Sequence, residues 1–233
     1  YMRGNKEHRQ TQFYVAFAVA LASAVGIAFS ANLFTLFLFY EILTLSTYPL
    51  VAHHGDAKAR QGGRIYLMIL MGTSIVFFIP ALVWTLVIAG TLDFVPGGIL
   101  AGKAGPLTTG LLLALFAFGI GKAALMPIHK WLPNAMVAPT PVSALLHAVA
   151  VVKAGVFTIL KVAVYIFGSD HLLSTGASEW LVYLAAFSLL AASVIALTKD
   201  NLKARLAYST ISQLGYIVLG AALANHYAIP GGA

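Results

Sequence analysis

The stretch GIGKAALMPIHKWLP, residues 119–133, reads as the end of a membrane-spanning helix, yet it carries Lys122 and Pro127. A charge placed at the middle of a bilayer costs about 2.5–3.5 kcal/mol. Proline removes a helical donor and frees carbonyls in the preceding turn. In lipid, a broken helix is tolerated only where it is buried in protein or lines a water-filled cavity. A simple kink is the ordinary outcome of one membrane proline, but a lysine beside it favours a cavity. The stretch therefore predicts a broken helix near Pro127, turned towards the inside of a helical bundle.

Composition agrees with this reading. Of 233 residues, 60% are hydrophobic and 9% charged, more apolar surface than a soluble domain of this size can hide. Cysteine is absent, which excludes disulfides and thiolate metal sites. The net charge of +7 sits mostly in loops, where it sets topology and does not signal nucleic-acid binding. The N-terminal YMRGNKEHRQ has no cleavage site after its charges and reads like the middle of a longer chain.

Crossing roughly 30 Å of hydrocarbon takes about 20 mostly apolar residues. Seven segments qualify: about 12–30, 33–52, 65–90, 107–131, 140–167, 180–198 and 206–224. They are long and do not alternate, so helices are expected and barrel strands are not. Arg3, Lys6 and Arg9 precede the first span; Lys58, Arg60 and Arg64 follow the second; Lys130 closes the fourth; Lys199, Lys203 and Arg205 follow the sixth. The opposite loops hold Lys103, Asp93, Asp170 and Glu179. The positive-inside rule then places the N-terminus and the basic loops in the cytoplasm and the C-terminus outside. The four-residue link FSAN (29–32) predicts an antiparallel hairpin of the first two spans. No linker divides the chain, so residues 1–233 read as a single transmembrane domain.

Ionisable groups inside the spans are the functional signal. Glu41 lies about nine residues into the second span, roughly 14 Å deep at 1.5 Å per residue. Lys153 lies about 13 residues into the fifth span, roughly 20 Å from its start. With Lys122 they make one acid against two deep bases, so at least one lysine is left without a carboxylate. At 4 Å and an effective dielectric near 20, a Glu41–Lys122 pair would contribute about 4 kcal/mol. Making and breaking such a pair is a way to hold and release a proton. His147 is a relay candidate, although a buried histidine is more often simply hydrogen-bonded to a neighbouring helix. Lys161, near the end of its span, reads as an interfacial anchor. His53 and His54 fall in a loop with no third ligand at metal spacing, and no cofactor or metal site is expected. Phosphate-cradling glycine loops, nucleophile elbows and haem ligand patterns are absent too.

Three motifs, YEILTLSTYPLV (40–51), GKAALMPIHKWLPNAMVAPTPVSALLHAVAVVKAG (121–155) and KDNLKARLAYSTISQLGY (199–216), resemble the proton-conducting antiporter-like subunits. These are shared by respiratory complex I, Mrp-type cation/proton antiporters and membrane-bound hydrogenases. The resemblance implies two inverted five-helix repeats, of which 12–167 would be the complete first and 180–224 the first two helices of the second. It implies that Glu41 is the acid of the ion pair, Lys122 its partner on the broken helix, His147 the relay histidine and Lys153 a relay lysine. Having LLH and VKAG on one helix looks most like the Mrp-type large subunits. The expectation is therefore a transporting subunit, not a catalytic chain. It would move protons, and a monovalent cation such as Na+, within a multisubunit complex of a bacterial or archaeal cytoplasmic membrane. A redox-driven complex is the alternative home for the same module. A scaffold with incidental ion pairs is the non-transporting alternative.

Overall fold

The computed structural model describes residues 1–5 and 7–224. Lys6 of the N-terminal basic cluster and the terminal IPGGA (229–233) lie outside the described residues. Among the described residues the chain is helical, with one isolated bridge between Asn32 and Asp93. The helices are α1 (Gln10–Phe29), α2 (Leu33–Val51), α3 (Ala57–Ala89), α4 (Pro106–Gly119), α5 (Thr140–Phe167), α6 (Ser169–Thr175), α7 (Glu179–Leu197) and α8 (Leu202–Leu223). Six are long and apolar enough to cross a membrane, and α4 is a shorter apolar helix of 14 residues. Among the described residues six of the seven expected spans are present at membrane-crossing length, and the fourth, expected at about 107–131, is continuous only over Pro106–Gly119; the protein is an all-α integral membrane protein.

Side-chain caps set several of the starts. Asn32 accepts from the Thr35 N–H at 2.8 Å, Asp56 from Ala59 at 2.6 Å, and Asn201 from Lys203 at 2.9 Å. Each cap satisfies one of the donors that a helix start leaves free. The Asp56 cap starts α3 eight residues earlier than hydropathy alone indicates, so Lys58, Arg60 and Arg64 lie on its first turns and not in a loop. At 33 residues α3 is about 50 Å long, enough to carry that basic end beyond the hydrocarbon. A π-helical turn at Ser74–Phe78 precedes Pro80, and two more, Leu145–Val149 and Val162–Phe167, interrupt α5.

The FSAN link closes α1 and α2 into the expected hairpin, and α7 packs on α8 as a second one. In α1 the inward seam is Phe13, Ala20, Ser23 and Ile27, a spacing of seven, three and four that repeats on one face. In α7 the outward stripe is Tyr183, Phe187, Leu190, Val194 and Leu197, apolar at helical spacing and exposed. Such a stripe is stable against lipid tails, which offer no penalty to it.

The two ends of the bundle differ. At one end, His8 meets the His53 carbonyl at 3.1 Å, and the Tyr1 and Thr140 hydroxyls lie 3.5 Å apart. There Lys203 Nζ donates to Ala138 O at 3.1 Å, so the basic segments share this end. At the other end, the loop 90–105 is laced across the helix tips. Leu33 N–H donates to Leu92 O at 2.8 Å and Leu100 N–H to Ile166 O at 3.0 Å. Lys161 Nζ donates to Ser30 O at 2.7 Å and Ala28 O at 3.2 Å, carbonyls at the end of α1. Its ammonium complements the negative end of the α1 dipole and holds α5 to the α1–α2 turn.

Candidate functional site: a buried lysine in an interrupted helix

The helix break begins earlier than Pro127. After α4 ends at Gly119, Ile120 leaves helical geometry (φ −84°, ψ 60°) and Ala124 turns left-handed (φ 53°). A single short turn at Gly121–Ala123 carries Lys122, and further short turns follow only from Ile128, after a cis Met126–Pro127 bond. Irregular backbone at membrane depth must find partners within the protein. Here three neighbours supply them. Tyr40 Oη on α2 accepts from the Lys122 N–H at 3.1 Å, and Ser188 Oγ on α7 accepts from the Met126 N–H at 3.2 Å. Trp131, just past the break, donates its indole N–H to Gly121 O at 2.9 Å.

α5 presses onto the break through Gly155. A Cβ at that position would overlap Ala123 N and the Lys122 backbone, so only glycine permits the approach. Gly121 is confined in the same way by Thr73 of α3.

Lys122 is completely buried. Its Nζ donates to Thr44 Oγ1 at 2.7 Å and to Tyr40 O at 2.8 Å, and it sits 3.0 Å from the Tyr40 ring centroid. Carbonyl, hydroxyl and π face are all neutral acceptors, and together they surround one ammonium. One helical step further along α2, Thr47 Oγ1 lies 2.6 Å from Tyr66 Oη of α3, and the Tyr66 ring meets Trp131 edge-on at 5.5 Å. A polar ladder thus runs from Lys122 along α2 to α3.

Glu41 is not in contact with Lys122. Both of its carboxylate oxygens are buried without a hydrogen-bond partner, and no carboxylate lies within 4.0 Å of Lys122 among the described residues. The base thus rests on neutral groups, and the carboxylate is buried on the same helix as Tyr40 and Thr44.

His147 lies in the π-helical turn Leu145–Val149 of α5, with both ring nitrogens buried and unpartnered. Lys153 departs from the expectation of a buried base. It is exposed, on the outer side of α5, and lines a shallow cavity of about 180 Å³ with Ala24, Ala28, Val149 and Phe157. Helix geometry explains the position. Lys153 is two residues from Gly155, about 200° around the helix, so when Gly155 faces Lys122 the lysine faces away. No hydrogen bond or ion pair joins any two of Glu41, Lys122, His147 and Lys153. Lys161 is bound to Ser30 O and Ala28 O at the end of α1.

Tyr40, Thr44, Trp131, Gly155 and Ser188 were not singled out by the sequence. A signal existed for the first two: Tyr40, Thr44 and Thr47 recur at helical spacing beside Glu41, so a polar face on α2 was readable. Nothing in the sequence points to Ser188. His53, expected to lack further ligands at metal spacing, is approached by Glu7 and His8 from the segment before α1. Burial and the neighbouring His8 hold the His53 pKa below its ordinary value.

Fold and site together define a polytopic helical membrane protein organised around a buried lysine in an interrupted helix. Comparison with known proteins places it further. The family described as NADH:quinone oxidoreductase/Mrp antiporter, TM, matches residues 30–232, and the chain belongs to this family. It is 34% identical over 211 residues to a probable K(+)/H(+) antiporter subunit of Rhizobium meliloti, covering 89% of this chain and 20% of that protein. It is 31% identical over 221 residues to NAD(P)H-quinone oxidoreductase chain 5 of Synechocystis, covering 89% of this chain and 31% of that one. A chain in the structure of the Mrp complex from Dietzia superposes with a TM-score of 0.83 at 30% identity, covering 95% of this chain and 24% of that one. The chain thus spans between a fifth and a third of these relatives.

Proposed function

We propose that this chain is the proton-conducting portion of a large subunit of an Mrp-type cation/proton antiporter. The observation that carries the reading is the separated pair. Lys122 is fully buried on neutral acceptors, and Glu41 is a buried carboxylate with no partner. Bringing the two together would add an attraction of about 4 kcal/mol at 4 Å and an effective dielectric near 20. Separating them returns the ammonium to Tyr40 O and Thr44 Oγ1. Alternation between the two arrangements changes how firmly Lys122 holds its proton, which is what a relay site requires. In this reading the break lets Lys122 shift between the two arrangements, because residues 124–127 lie outside any helical turn.

In this reading His147 and Lys153 continue the path along α5, with water or a neighbouring subunit bridging what they do not span themselves. Residues 12–167 form a complete five-helix repeat, and 180–224 begin a second of inverted orientation. The basic end of the bundle faces the cytoplasm of a bacterial or archaeal cell. Further membrane subunits complete the complex, and a monovalent cation moves against the proton.

The second reading is a proton-pumping subunit of a redox-driven complex, supported by the 31% identity to the quinone oxidoreductase chain. Both readings use the same pair and differ in what drives it. Co-purification separates them: small hydrophobic subunits alone favour the antiporter, and flavin or iron–sulfur subunits favour the redox complex. Replacing Glu41 with Gln keeps the shape and removes the charge. Proton transport by the reconstituted complex is expected to fall below a tenth of wild type with membrane insertion unchanged. Wild-type transport by Glu41→Gln would refute the pair.

A further inference from the structure

A second cluster of titratable groups lies at the basic end, away from the lysine site. Glu7 and His8 come from the segment before α1, and His53 from the turn after α2, 45 residues from His8 in the chain. One potential ligand atom from each lies within 4.8 Å of the other two. We propose that Glu7, His8 and His53 form a binding site for a borderline divalent transition cation of the Zn2+ type, with water as a fourth ligand.

Three observations support the site. First, His53 is only 9% exposed, and its Nε2 is buried without a hydrogen-bond partner. A buried imidazole nitrogen left unpaired gives up the free energy of a hydrogen bond that solvent would have provided. Coordination would restore it. Second, His8 Nε2 lies 3.1 Å from His53 O. Donation of the Nε2 proton to that carbonyl fixes the tautomer whose Nδ1 carries a free lone pair. Metal-binding histidines are oriented in this way by backbone carbonyls. Third, His53 also borders a cavity of about 180 Å³, lined by Arg9, Gln12, Phe13, Pro49 and Leu50, so the cluster lies beside open space.

The chemistry of the donor set selects the ion. Two imidazoles and one carboxylate suit Zn2+ and its first-row neighbours, while Mg2+ and Ca2+ prefer all-oxygen sites. Bonds of about 2.0–2.2 Å place tetrahedral ligands roughly 3.3–3.6 Å apart, so the cluster would tighten by up to about an ångström on binding. Glu7 and His8 can supply that movement, because both belong to the segment before the first helix and His8 is exposed. Arg9 is exposed at the cavity rim, where water screens its charge from the ion. A bound ion would staple residues 7–8 to the end of α2, the helix that carries Tyr40, Glu41 and Thr44.

The test is a titration of the purified, chelator-treated protein with Co2+, followed by competition with Zn2+. One equivalent is expected to give the visible ligand-field bands of four-coordinate Co2+, which Zn2+ then removes. His8→Ala and His53→Ala should each weaken binding by roughly 100-fold or more. His54→Ala, next to the cluster but outside it, should leave the bands in place. Circular dichroism and gel filtration establish that each variant is folded, and a folded variant is the only kind scored. Absence of the bands in the wild-type protein would overturn the proposal. So would bands that survive in both folded His8→Ala and His53→Ala.

Discussion

Lys122 and Lys153 are the same residue in two solvents. Lys122 sits in an interrupted helix with every donor direction met by Tyr40, Thr44 or an aromatic face, at no exposure. Lys153 sits on an intact helical stretch, exposed beside α1, with apolar residues around it. The first is held by what the fold supplies. The second depends on something outside the chain, whether water, lipid headgroup or a neighbouring subunit. A lysine inside a membrane segment is therefore not one kind of signal, and the backbone around it decides which kind it is.

The comparison can be broken at the packing step. Gly155 brings α5 onto the Lys122 backbone, so Gly155→Ala is expected to destabilise the protein by about 2–3 kcal/mol through overpacking. Gly72 on α3, where an added Cβ meets nothing within 4 Å, supplies the control, and Gly72→Ala should melt like wild type. Equal thermal stability of the two variants in detergent would show that α5 does not press on the break.

A smaller effect is expected from the lysine's own acceptor. Thr44→Val keeps the shape and removes the oxygen 2.7 Å from Nζ. Loss of one hydrogen bond to a charged group costs about 1.5–3 kcal/mol, so thermal stability and transport should fall together. An unchanged melting profile would mean that Tyr40 alone carries the ammonium.

The smallest stability change belongs to Lys153. No hydrogen bond holds it, so Lys153→Gln should stay within about 0.5 kcal/mol of wild type. If Lys153 belongs to the relay, transport falls all the same. Stability unchanged and transport unchanged would remove it from the path.

Much of the fold was legible because lipid imposes one rule, that the backbone must satisfy itself within a span. Six apolar runs became membrane-crossing helices among the described residues for that reason, and the FSAN link had no geometry open to it but a hairpin. The break was legible from Lys122 and Pro127, but its start at Gly119–Ile120 was not. That boundary is fixed by partners from α2 and α7, 78 or more residues away on one side and 62 on the other. The exposure of Lys153 was not legible because depth along a helix was readable and direction around it was not. Only the contact of Gly155 with the break sets that direction. Glu7, His8 and His53 were invisible as a cluster for a related reason: α1 and α2 intervene in sequence and fold back to join them.

The central claim is that Lys122 is the group whose proton moves. Its most direct test is proton uptake by vesicles containing the reconstituted complex, followed by a pH-sensitive dye. Wild type is compared with Lys122→Ala at equal amounts of inserted protein. The account predicts that the dye response disappears in Lys122→Ala while insertion and assembly are retained. A wild-type rate in that variant would contradict it.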